Sequence, residues 1–318
     1  MTSYKTIKSK IKSIAGDNKS LRPILQFTEA CKYHDWRIWN KKAGNCTIRD
    51  ALVSGKPQAI GKIGSVELQN LRSYLRHCHK HGWQDATAIY RKDLYTNAGV
   101  FPEQPQIFER YCEFMMEEIL PEITVIGVWH NYGEAGIIKK FAPNAAKVPM
   151  RSLESYYISN NRWTAALEGK TVLVLHPFVE TIRKQYEARN EIWKEKKDIL
   201  PDFNLVQIKV PQLPALDAPC YPDWFSSLEA MRLKMNIVDF DIALIGAGAY
   251  SLPLAVHAKK LGKNGIHLGG ATQIYFGIKG GRWDHHPVIS KFYNTHWVRP
   301  LSQDTPNNRE IVENGCYW

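Results

Sequence analysis

Asp241-Ile-Ala-Leu-Ile-Gly246-Ala-Gly248-Ala-Tyr250, then Leu252 to Leu261, then Gly265-Ile-His267-Leu268-Gly269-Gly270, is the stretch whose reading decides the fold. An apolar run of strand length stops at glycines, a helical pattern follows, and a second apolar run stops at glycines again. Units of this kind build parallel sheets. Working outward, Ala59 to Ile63, Ile123 to Trp129, Thr171 to His176 and Leu205 to Val210 have the same strand-like look, with longer amphipathic segments between them. Ile107, Tyr111, Met115 and Ile119 recur every fourth residue before Pro121, and Ile182, Tyr186 and Trp193 share one face of a helix over 182 to 197. The expected class is α/β, a Rossmann-like layered fold with a mostly parallel sheet over residues 55–318, preceded by an N-terminal helical segment over 1–54.

The 318 residues carry a formal charge of +11 and are 44% hydrophobic, which excludes a disordered chain and points to an anionic partner. No apolar run approaches the roughly 20 residues that cross a bilayer. Six cysteines, none in a CxxC pair, read as reduced and mostly buried thiols. The N-terminus lacks the apolar core of a secretory signal, so a cytoplasmic location is expected. Lys5, Lys8, Lys10 and Lys12 alternate with Ile7, Ile11 and Ile14, a pattern that suits either an ordinary first helix or peripheral contact with the anionic inner face of a cell membrane. Pro211, Pro214, Pro219 and Pro222 make Val210 to Asp223 a long loop, either a crossover or a lid.

Several segments carry candidate chemistry. At the first glycine turn, Gly246, Gly248 and Tyr250 precede a helix whose opening amides favour phosphate. A dinucleotide enzyme would have a third glycine where Ser251 stands and an acidic residue ending the next strand, which instead ends in Gly269 and Gly270. Gln273, Lys279 and Arg282 continue that segment, and the two cations suit a diphosphate. Ala59-Ile-Gly61-Lys62-Ile-Gly64-Ser65-Val66-Glu67 places Ser65 and Glu67 where a strand breaks into a helix. Glu67 is there either a helix cap or a catalytic or ligand carboxylate. Asn97 offers an amide in a turn-rich segment, and Glu134, after the strand ending at Trp129, is a second acid/base candidate. His77 and His81, four apart before Gly82, read mainly as a helix end, and Asp284-His285-His286 follows the basic glycine segment.

On residues 61–68, 95–102 and 241–270 the chain resembles bacterial glycosyltransferases of the GT-D fold type and the related proteins of surface polysaccharide gene clusters. Residues 61–68 look like that family's Asp-x-Glu strand-turn-helix, with Ser65 at the Asp position and Glu67 retained. The resemblance implies transfer of a sugar from a nucleotide-sugar donor to a glycan or lipid-linked acceptor. It places Glu67 at a site for a divalent metal, manganese or magnesium, and the donor diphosphate. The alternative is a non-catalytic nucleotide-sugar or glycan binding protein of the same pathway, supported by Ser65. Nucleic acid is not an expected partner, since the basic residues are spread along the chain with no recognisable binding motif.

Overall fold

The computed structural model describes residues 22–211 and 219–318. The lysine and isoleucine pattern of the N-terminus and residues 212–218, half of the proline-rich loop, lie outside them.

Seven parallel strands form one sheet, in the order β3-β2-β1-β7-β6-β4-β5. They are β1 Gln58–Gly61, β2 Val125–Val128, β3 Ala146–Pro149, β4 Thr171–His176, β5 Asn204–Lys209, β6 Ile242–Ile245 and β7 Asn264–His267. Six match the apolar runs expected from sequence. The additional strand, β3, is a four-residue edge whose first two positions are not buried and whose last is Pro149. It therefore lacks the continuous apolar character of a central strand, and an edge tolerates proline.

The central strands are covered on both faces, which is why they read as unbroken apolar runs. Leu173, Leu175, Ala243 and Ile245 point into one core, while Val172, Val174, Ile242 and Leu244 point into the other. Helix α1 (Arg22–Cys31) contributes Ala30 to the first core, and α2 (Lys41–Val53) contributes Ile48 and Leu52 to the second. Two further helices follow strands directly: α3 (Ser65–His77) after β1, and α4 (Glu134–Phe141) after β2. Helix α5 (Val179–Glu187) is shorter than the expected 182 to 197. The chain breaks at Ala188 and re-forms a single turn at Arg189–Ile192, with Ile182, Tyr186 and Trp193 all in the second core.

Helix α6 (Ser251–Lys260) packs under the sheet centre. A Cβ on Gly265 would lie 2.4 Å from the Ala255 carbonyl oxygen, so only glycine lets β7 approach this helix so closely. The topology fixes where a ligand fits. The chain runs β1, β2, β3 outward to one edge, crosses to β4 and β5 at the other, and returns inward through β6 and β7 to lie beside β1. Parallel α/β sheets open a crevice beyond the carboxyl ends of their strands where the connections diverge.

Among the described residues no helix is long and apolar enough to cross a membrane. The cysteines are free thiols, but they are less buried than expected: Cys112 is buried, Cys31 and Cys220 are exposed, and the others lie between.

Candidate active site

A cleft of about 730 Å³ occupies the carboxyl edge of the sheet, and residues following all seven strands line it. β1 delivers Lys62, β2 Trp129, β3 Arg151, β4 Phe178, β5 Val210, β6 Gly246 and β7 Gly269. Of the residues expected at a site, Lys62, Gly64, Ser65, Glu67, Asn97, Gly246, Gly248, Tyr250, Gly269, Gly270, Gln273 and Arg282 all face this one space. Glu134 and Lys279 are absent from its lining.

The β6 turn shows why position 251 is serine. Ser251 is fully buried, and its hydroxyl accepts the Ala247 amide at 2.8 Å, bracing the turn from inside. The Gly246 amide donates to the Leu175 carbonyl at 2.9 Å. Gly248 (φ +54°) and Ala249 open the following 3-10 turn, so their amides have no partner within it. A Cβ on Gly246 would fall 2.7 Å from both the His176 ring and the Thr272 hydroxyl, so the turn has no room for a larger residue. Tyr250 stacks face to face on Trp224 at 5.0 Å, forming a rigid wall.

Glu67 stands in the first turn of α3 and folds back over Gly64, where a Cβ would meet its Oε2 at 2.0 Å. Burial raises its pKa, against the opposing pull of its own backbone amide and of Lys62. Lys62 is shifted the other way: burial lowers its pKa, while Glu154 and Glu67 favour its charge. Its Nζ sits 4.4 Å above the Trp129 ring. Arg151 donates to Glu154 at 3.0 Å, and burial raises the Glu154 pKa despite that bond. Arg282 pairs with Glu313, donates to the Tyr317 hydroxyl at 3.1 Å and lies over the Tyr317 ring. Gln273 is buried and holds the Tyr317 carbonyl at 2.8 Å, so its amide anchors the C-terminal segment as a wall of the cleft.

Two histidines complete the floor. Burial pushes both His176 and His267 down to about 3, so both rings are neutral. His176 Nδ1 accepts the Phe178 amide at 2.9 Å, which leaves Nε2 as the protonated nitrogen.

Glu134, expected to act as acid or base, has a different place. Its side chain is 0% exposed, and its carboxylate accepts the Trp129 amide at 2.9 Å and the His130 amide at 2.7 Å. Its oxygens are thus taken up by the loop that ends β2, and that loop sets Trp129 beneath Lys62. Lys279 leans over the Tyr293 ring at 5.3 Å and is not part of the cleft lining, and its backbone amide donates to the Val298 carbonyl at 2.7 Å.

Sequence reasoning did not pick out Arg151, Glu154, His176, Glu313 or Tyr317. Arg151 and Glu154 follow the edge strand that lacked an apolar run. His176 ended an expected strand and could have been found by asking which side chain stands at each strand's carboxyl end. Glu313 and Tyr317 come from a distant, non-periodic segment.

A metal requires converging donors. Among the described residues no group of three or more His, Cys, Asp or Glu side chains gathers to hold one, so manganese or magnesium at Glu67 would draw its remaining ligands from the donor's phosphates and water. Nor do His77 and His81, or Asp284 with its neighbours, form such a group; Asp284 is bound to Arg299 at 2.6 Å. None of the family models, curated proteins or solved structures compared with the chain matches it.

Proposed function

We propose that the protein is a glycosyltransferase that moves a sugar from a nucleotide-sugar donor to a glycan or lipid-linked acceptor in surface polysaccharide biosynthesis. The observation that carries this reading is the set of groups in the cleft: Lys62, Arg151 and Arg282 beside glycine turns, facing Glu67, a carboxylate bonded to no other side chain among the described residues. Cations and oriented amides stabilise the charge that grows on a departing nucleoside diphosphate. The bond between the anomeric carbon and the phosphate oxygen breaks with its electron pair going to the diphosphate. The acceptor oxygen takes its place on that carbon, and its proton passes to Glu67. A carboxylate with a raised pKa suits proton transfer near neutrality. His176 Nε2 is a neutral donor for a sugar hydroxyl.

Ser65 at the family's Asp position favours a second reading, donor binding without turnover. A thermal-shift panel of nucleotide sugars with and without manganese, followed by a transfer assay, separates the two. A donor that raises the melting temperature and is consumed supports the transferase. A shift without consumption supports the binder, and no shift with any nucleotide sugar overturns both.

A further inference from the structure

A second concavity, of about 1030 Å³, lies outside the cleft between the start of α2, residues 156–162 and residues 195–198. Tyr156 belongs to the lining of both spaces. The segment that gives Arg151 and Glu154 to the cleft therefore gives its next residues to the groove. Tyr157 lies at the junction, with the Arg151 guanidinium 4.2 Å from its ring centre and Lys41 Nζ at 6.0 Å.

The groove wall is rigid. Buried Asn45 donates to the Asn161 carbonyl at 2.7 Å and accepts the Trp163 amide at 2.9 Å, which holds Asn161 at a φ of +54°. Arg162 is bound to the Ser155 carbonyl and to Asp198. On this fixed frame Ser159, Asn160 and Asn161 are exposed. They offer hydroxyl and amide groups that both donate and accept, the match for a chain of hydroxyls. Lys41, Lys42 and Lys196 flank them and outweigh the one further carboxylate of the lining, Glu195, while Asp198 is engaged by Arg162.

We propose that this groove binds an anionic oligosaccharide, the acceptor strand whose terminal hydroxyl enters the cleft past Tyr156. The word acceptor rests on the transferase reading; the oligosaccharide site does not.

Calorimetry on the full chain tests it, with tetragalacturonic acid as the anionic probe and cellotetraose as its neutral counterpart. Tetragalacturonic acid is expected to bind at least tenfold more tightly than cellotetraose. Lys42→Glu with Lys196→Glu should weaken it at least tenfold at an unchanged melting temperature, and if that double variant melts early, Lys42→Ser alone should weaken it severalfold. Equal affinity for the two sugars, no binding of either, or no loss in the folded variants overturns the proposal. A nucleoside diphosphate titrated in parallel reports on the cleft alone, so its failure to bind would count against the transferase reading and leave the groove standing.

Discussion

The β1–α3 and β2–α4 turns are neighbours in the sheet, each carries a glutamate in the first turn of its helix, and the two glutamates have opposite fates. The turns touch: Asn131 reaches the Ser65 hydroxyl at 3.4 Å, and Arg72 of α3 lies 4.3 Å from the Tyr132 ring centre. At β2 the chain passes through left-handed backbone at His130 (φ +61°) and Gly133 (φ +84°), which curls the loop amides around Glu134. Glu29, from α1, caps the same helix through the Ala135 amide at 3.1 Å, and Tyr33 approaches Glu134 at 3.5 Å. At β1 the chain stays extended at Gly64 (φ −65°, ψ 157°), and Glu67 keeps its face toward the cleft. A carboxylate at a strand-to-helix turn is therefore a functional candidate only when the loop before it leaves its oxygens free.

The largest expected effect sets these two residues against each other. Glu67→Gln keeps shape and hydrogen bonding but removes the charge and the proton acceptor, so turnover should fall by about 10²-fold or more while the melting temperature holds. Glu134→Gln should lower turnover by less than about tenfold, acting only through Trp129 and Lys62. Equal losses in two folded variants would erase the distinction.

The next effect is on stability. Burial pushes Glu134 up to about 8, against the pull of three backbone amides and with Glu29 adding to the rise. An unfolded glutamate titrates near 4.5. Between those values the folded chain holds a proton that the unfolded chain has lost, so this group's contribution to stability is full below about 4.5 and fades as the pH rises toward 8. Melting curves from pH 5 to 8 should slope less steeply with pH for Glu134→Gln than for the wild type. Identical slopes would mean that the buried group does not titrate in this window.

The smallest effects concern a third carboxylate, Glu313, whose Oε2 is taken by the side chains of Arg282 and Cys316 rather than by amides. Glu313→Gln should release Arg282 and tighten nucleoside diphosphate binding by up to about 1 kcal/mol, the upper range for a partly exposed pair. Lys279→Ala should leave the same titration unchanged. A loss of affinity in Lys279→Ala would return that lysine to the phosphate site.

Much of this molecule was legible from local pattern. Unbroken apolar runs ending in glycine reveal strands buried on both faces, because only a fully covered strand can be apolar at every position and only glycine allows the backbone approaches seen at Gly246 and Gly265. From that alone the parallel sheet and a cleft at its carboxyl edge follow. Periodicity says nothing about an edge strand such as β3, so Arg151 and Glu154 stayed hidden. Tertiary structure also decided which way side chains face. Glu67 and Glu134 look alike in sequence, and Lys279 and Arg282 lie three residues apart in one glycine-rich segment. Glu134 is withdrawn by loop amides, Lys279 lies against the Tyr293 ring, and Arg282 is held at the cleft by Glu313 and Tyr317 from the far end of the chain. Local sequence sets which backbone forms; whether a polar atom is left free for a ligand depends on partners that only the folded chain brings within hydrogen-bond distance.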